Sequence, residues 1–248
     1  MTKVLLEACV ANIESAVAAE AAGADRLELC NVLGAGGITP SYGFIELVLK
    51  KISIPLHILI RPREGDFLYS NDEFEIMIRD IEKCRESGVA GIVTGILKDN
   101  GSVDIERCKV LISAAKPLSV TFHRAFDLTA DAFTSLEEII QMGCHRILTS
   151  GQRAGAMHGA GFISGLIKQA NGRIIVMPGG GINDKNISQL KKTTGANEFH
   201  LSARMIKPSK MLYRNEFVMM SGEDADEYSY DVLNPEQFKK VKEYANHS

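Results

Sequence analysis

The sequence predicts a single (β/α)8 TIM barrel over residues 1–248, on three observations. Eight short runs rich in β-formers alternate with longer stretches of helical periodicity, the signature of a parallel sheet. The 248 residues suit one such barrel in one domain. The loop chemistry repeats along the chain in a way that suggests a closed ring built from βαβα units.

The expected strands are 4–9, 26–30, 56–61, 91–95, 118–123, 146–150, 174–177 and 198–202. Helical segments such as 12–22, 72–87 and 132–142 lie between them, joined by the short loops usual in α/β units. Strands two, four, six and eight each follow a helix that ends in glycine, at Gly23, Gly88, Gly143 and Gly195. A glycine there supplies a left-handed cap without a steric penalty. Strands three and five are entered through Pro55 and Pro117, which stop the preceding helix and cost no ladder bond at a strand start. An open doubly wound sheet is the rival topology, and no phosphate-fingerprint glycine loop follows the first strand to support it. The eighth unit is irregular: residues 204–234 separate the last strand from a final helix near 235–245, an excursion long enough to suggest an interface or a functional segment. It carries Met211, Tyr213, Phe217, Met219, Met220 and an acidic run beginning at Glu223.

Composition narrows the class. With 45% hydrophobic and 24% charged residues and a formal net charge of -3, the chain has no basic excess, so no nucleic-acid partner is expected. No apolar stretch is long enough to span a bilayer, and only Lys3 precedes Glu7, so neither a membrane segment nor a secretory signal is expected. Five cysteines without disulfide-framework spacing point to a reducing, cytoplasmic setting.

Parity along the strands separates the barrel interior from the helix-facing side. Glu7 and Cys9 share one face of the first strand, and Glu28 and Cys30 share one face of the second, so two neighbouring strands end in the same Glu-x-Cys pattern. Leu6, Leu27 and Leu29 have the opposite parity and suit the helix layer, which aims the polar set at the barrel mouth. Strand ends at that mouth are where barrels carry function. Buried carboxylates call for a cation, and Arg61, Arg63 and Arg124 are the candidates. His123 closes the fifth strand, and His200 lies in the eighth, next to the first once the ring shuts. The run Gly179-Gly180-Gly181 offers backbone N–H groups for an anion at Gly180 and Gly181. Two thiols at matching heights on strands about 4.8 Å apart can meet at one ion. Blander roles exist for each: an ion network for the carboxylates, a tight turn for the glycines, a satisfied core histidine for His57, and small core hydrophobes for Cys84, Cys108 and Cys144.

Several motifs in order resemble one family. Glu7-Ala8-Cys9, Gly23-Ala24-Asp25-Arg26-Leu27-Glu28-Leu29-Cys30 and Gly36-Gly37-Ile38-Thr39-Pro40-Ser41 are similar to the opening of the CutC copper homeostasis family. Ile60-Arg61-Pro62-Arg63, Val120-Thr121-Phe122-His123-Arg124-Ala125-Phe126-Asp127 and Leu148-Thr149-Ser150-Gly151 continue the match. The resemblance implies a cytoplasmic, oligomeric TIM barrel linked to copper tolerance or trafficking, with Cu(I) bound by Cys9 and Cys30. Glu64 departs from the family's pattern and puts a carboxylate in the loop after strand three.

Two functions follow. In the first, thiolates of Cys9 and Cys30 hold Cu(I), with His200 as a third ligand. In the second, an enzyme acts on a small anionic substrate: Glu7 and Glu28 serve as acid and base, His123 relays protons, and Arg61, Arg124, Gly180 and Gly181 hold the anion. The expected partner is therefore a metal ion or a small anion.

Overall fold

Eight parallel strands form one sheet: β1 (Leu5–Val10), β2 (Arg26–Leu29), β3 (Leu56–Leu59), β4 (Gly91–Thr94), β5 (Ser119–Phe122), β6 (Arg146–Thr149), β7 (Ile175–Pro178) and β8 (Glu198–Leu201). They are ordered β7-β6-β5-β4-β3-β2-β1-β8, and the ring closes where Gly179, just past β7, bridges His200 of β8. This computed structural model describes residues 4–215, 217–218 and 226–247. The helices α1 (Ile13–Ala21), α2 (Tyr42–Leu49), α3 (Asn71–Ser87), α4 (Ile105–Ala115), α5 (Ala132–Met142), α6 (Ala160–Ala170), α7 (Ile187–Thr194) and α8 (Pro235–His247) wrap the outside.

Local chemistry sets these boundaries. Asn12 accepts from the Ser15 N–H at the start of α1, Ser70 and Glu73 form a reciprocal capping box on α3, and Asp131 caps α5. Gly88, Gly143 and Gly195 end α3, α5 and α7 in the left-handed conformation that the glycine pattern predicts. The strands differ from expectation by a residue or two at each end. The third, for example, stops at Leu59, because its ladder with β4 ends there.

Parity works as expected. Leu6, Ala8, Leu27 and Leu29 join the main core between sheet and helices, whereas Cys9, Cys30, Leu59 and Val93 form a separate small cluster inside the ring. The interior is unusual for a barrel, where branched aliphatic side chains normally fill the layers. Here Glu7, Arg26, Glu28, His57 and Thr121 are all buried. Cys84, Cys108 and Cys144 are buried on the helix side, and all five cysteines are free.

The stretch 204–234 is not structureless throughout. It opens and closes as an antiparallel hairpin, β9 (Arg204–Pro208) with β10 (Ser229–Leu233), in the register Arg204 to Leu233. Both strands are too short and too exposed to show alternation in the sequence. The hairpin is tied to α1: the Ser15 hydroxyl accepts from the Leu233 N–H at 2.9 Å, and Asn12 Nδ2 donates to the Asp231 carbonyl at 2.9 Å. Met219, Met220 and the start of the acidic run at Glu223 lie outside the described residues, as does Lys3. Among the described residues no helix is long and apolar enough to cross a membrane.

Candidate functional site

The Glu-x-Cys repeats on β1 and β2 are not level. The ladder pairs Glu7 with Arg26 and Cys9 with Glu28, an offset of two residues that lifts Cys30 one step above Cys9. Strand tilt and stagger in a closed barrel produce such an offset, and sequence parity is blind to it. The thiols nevertheless meet: Cys9 Sγ and Cys30 Sγ are 3.8 Å apart, and Cys9 Sγ lies 3.6 Å from Glu28 Oε1.

The offset also identifies the cation. Arg26 Nε donates to Glu7 Oε2, and its Nη2 donates to Glu198 Oε2 at 2.9 Å. Arg146 Nε donates to the same Glu198 oxygen at 2.7 Å and its Nη1 to Ser119 Oγ at 2.9 Å. His200 Nδ1 sits 2.8 Å from Glu7 Oε1 and 4.0 Å from Glu28 Oε2. A chain of alternating charge therefore runs up the barrel axis from Arg146 to His200. The expected partners are elsewhere. Arg61 donates to the carbonyls of Ala35, Gly37 and Gly65, Arg63 pairs with Asp66 and Glu73, and Arg124 pairs with Asp127 and Ser150. Arg26, Glu198 and Arg146 were not anticipated, although Arg26 shares the parity of Glu28 and that signal was available.

This packing pushes the ionisable groups apart. Burial alone would raise the Glu7 carboxyl, but the His200 hydrogen bond and the Arg26 charge hold it well below the usual carboxylate range. Burial raises Glu28 to about 7, with the Glu7 charge adding to it and His200 opposing. Burial would depress His200, yet the Glu28 charge and the Glu7 hydrogen bond raise it. The Cys9 thiol is pushed well up by its contact with Cys30 and by burial. His57 is not the satisfied core histidine expected: among the described residues its Nδ1 has no hydrogen-bond partner, it lies 4.0 Å from Glu7 Oε2, and burial lowers the ring's pKa to about 4.

Above this chain lies a cavity of about 340 Å3, lined by Cys9, Glu28, Arg61, Phe67, His123, Arg124, Gly180, Gly181 and His200, among others. Most of the expected site residues thus share one mouth. Glu7 and Cys30 do not line it: both are wholly buried, Glu7 beneath His200 and Cys30 behind Cys9. His123 lines it without a hydrogen bond to either carboxylate among the described residues. Its Nδ1 accepts from the Ala125 N–H at 3.2 Å, so Nε2 carries the hydrogen, and that atom has no partner. Burial lowers its pKa to about 3, and with no contact to the carboxylates it is poorly placed to relay protons. Phe67, absent from the expected set, packs on His123 at 4.7 Å and under the Arg61 guanidinium at 5.1 Å. A larger hollow of about 570 Å3 lies by Gln189 and Asn197, at the loop entering β8 and so at the opposite end of the barrel.

The donor set suits a soft cation. Cys9, Glu28 and His200 offer ligand atoms within 4.8 Å of one another. Two sulfurs bound to one metal at about 2.3 Å would sit about 3.8 Å apart around a tetrahedral centre, and the two thiols already stand 3.8 Å apart. Glu7 holds His200 through Nδ1, the carboxylate–histidine arrangement that orients a metal ligand and leaves Nε2 for the ion.

Known proteins share this architecture. A crystal structure of CutC from Streptococcus agalactiae superposes with a TM-score of 0.75 at 34% identity, over 79% of this chain and 97% of its own. Phosphoribosylanthranilate isomerase of Thermotoga maritima, at 14% identity and a TM-score of 0.59, covering 99% of this chain and 100% of its own, shares the fold alone. A CutC family protein of Parabacteroides distasonis is 48% identical over 98% of this chain and 99% of its own. The human copper homeostasis protein cutC homolog is 47% identical over 93% of this chain and 85% of its own. The CutC family pattern matches residues 4–205, all eight barrel strands through the first residues of β9, and on that match the chain belongs to the CutC family.

Proposed function

We propose that this barrel binds Cu(I) through Cys9 and Cys30, with His200 as third ligand, and so serves copper tolerance or trafficking. The observation that carries the reading is the thiol pair, 3.8 Å apart, with the Glu28 carboxylate and the His200 imidazole in reach of Cys9. Thiolates prefer Cu(I) over hard cations. Burial and the contact with Cys30 hold the Cys9 thiol protonated, so loading of the metal through its thiolate releases a proton. The names of the human and mouse relatives agree with a role in copper homeostasis. Free thiols at all five cysteines support a cytoplasmic setting. Exposed Met211, Leu212, Tyr213 and Phe217 support assembly into a homo-oligomer. The test is competition with a Cu(I) chelator under anaerobic conditions: Cys9→Ser or Cys30→Ser abolishes tight binding, and Cys84→Ser and Cys108→Ser leave it intact.

One observation favours a second reading, acid–base catalysis on a small anion. Glu7 and Glu28 are driven in opposite directions, as paired catalytic carboxyls are. Discovery of a turned-over substrate whose consumption stops in Glu28→Gln, with copper binding intact, would favour this reading.

A further inference from the structure

We propose that the mouth contains a phosphate site separate from the thiols: a phosphate monoester seats its phosphoryl group between the Arg124 guanidinium and the backbone N–H groups of Gly181 and Ile182, with its organic part filling the cavity toward His200. The inference rests on this geometry and does not depend on copper binding.

Arg124 is a fixed fork. Its Nε donates to Asp127 Oδ2 at 2.7 Å and its Nη2 to Ser150 Oγ at 2.8 Å. Asp127 is itself anchored by the Ser150 and Gln152 N–H groups. Among the described residues Nη1 has no partner, and a Cβ placed on Gly180 would stand 3.6 Å from it. The guanidinium therefore lies against the loop that follows β7.

That loop presents donors. Gly180 and Gly181 have φ of +101° and +72°, a left-handed turn that suits glycine. The Gly180 carbonyl is held by the Ala156 N–H at 2.9 Å. The Gly181 carbonyl is held by Asn183 Nδ2 at 3.2 Å and Asn186 Nδ2 at 2.8 Å. In a trans peptide the N–H points opposite the preceding C=O, so fixing both carbonyls fixes the Gly181 and Ile182 N–H groups on the other side. Among the described residues neither N–H donates to a protein acceptor. Both residues line the cavity. Backbone donors in a positive-φ turn are an anion nest, and a neighbouring arginine makes it selective for phosphate.

A cavity of about 340 Å3 exceeds what an ion needs and falls within the range of small-molecule pockets.

The test is titration of the full-length protein with inorganic phosphate and with glycerol phosphate, followed by calorimetry and by amide NMR shifts, with acetate as control. Saturable phosphate binding is expected, with shifts centred on the Gly181 and Ile182 amides and tighter binding of the ester than of inorganic phosphate. Arg124→Gln should weaken both at least about ten-fold, the loss of one charge-assisted hydrogen bond. Because Arg124 also braces Asp127, the urea midpoint of the variant is measured in parallel. Should the variant fail to fold, the amide shifts of the unaltered protein decide. Inorganic phosphate, which does not reach the thiols, should leave the chelator competition for Cu(I) unchanged at saturation, which separates this site from the copper reading. No saturable binding, equal affinity in Arg124→Gln, or shifts centred elsewhere would overturn the proposal.

Discussion

Replacing Arg26 with leucine removes the guanidinium that pairs with both Glu7 and Glu198 at the base of the site. Arg26 is buried, as is Glu7, and Glu198 is only slightly exposed, so water can do little to compensate. Two charge-assisted hydrogen bonds disappear, one to Glu7 and one to Glu198, at about 1.5–3 kcal/mol each. Arg146 still holds Glu198, so most of the damage falls on Glu7, which keeps the His200 hydrogen bond and the more distant His57 ring. Breaking a buried pair from one side typically costs about 3–5 kcal/mol, and that range is expected for Arg26→Leu in urea denaturation. Much of it comes from the stranded carboxylate rather than from the contact itself. Arg26→Leu/Glu7→Gln should therefore recover at least about 1 kcal/mol of the loss, since the buried charge is gone. A loss under about 1 kcal/mol for the single variant, or a double variant worse than both singles combined, would refute the assignment of Arg26 as the counter-charge.

Three further outcomes are expected. A Cβ at Gly91 would lie 2.6 Å from His57 Nε2 and 2.7 Å from the Ser119 carbonyl, so Gly91→Ala should destabilise by about 1–3 kcal/mol in thermal melts, and an unchanged melt would mean the interior relaxes freely. His57 is lowered from 6.5 to about 4 by burial, so its contribution to stability is complete above pH 6.5 and is lost as pH falls toward 4. Raised Glu28 slopes the other way between 4.5 and about 7, so the comparison is with His57→Asn, which should flatten the acid loss by on the order of 3 kcal/mol, at about 1.36 kcal/mol per pH unit; parallel curves would contradict this. Arg61→Met releases the Ala35 and Gly37 carbonyls, loosening the loop that covers Cys30, and alkylation of Cys30 should quicken while that of Cys108 does not.

How much of this was legible in the sequence follows from which interactions are local. Alternation in Leu6-Glu7-Ala8-Cys9 and Leu27-Glu28-Leu29-Cys30 reports which face each residue takes, and caps at Gly88 and Gly143 report where helices stop, because both depend on near neighbours. Register does not. Whether Glu7 stands beside Glu28 or beside Arg26 is decided by barrel stagger, a property of all eight strands together. The same limit hid Glu198 and Arg146, which meet Arg26 only across the closed ring. Arg61 lines the mouth, but its preference for three backbone carbonyls depends on the path of the loops at 31–38 and 62–70. Phe67 carried no signal beyond its apolar character. The hairpin of β9 and β10 was missed because short exposed strands are held by their attachment to α1 rather than by their own pattern.

Anaerobic competition between the protein and a Cu(I) chelator, run on the unaltered chain and on Cys9→Ser/Cys30→Ser, tests the copper reading most directly. About one Cu(I) per chain is expected to resist the chelator in the unaltered protein, with protons released on loading and the tight site lost in the double variant. Equal copper retention by both proteins would contradict the thiol site and leave the acid–base reading of Glu7 and Glu28 as the better one.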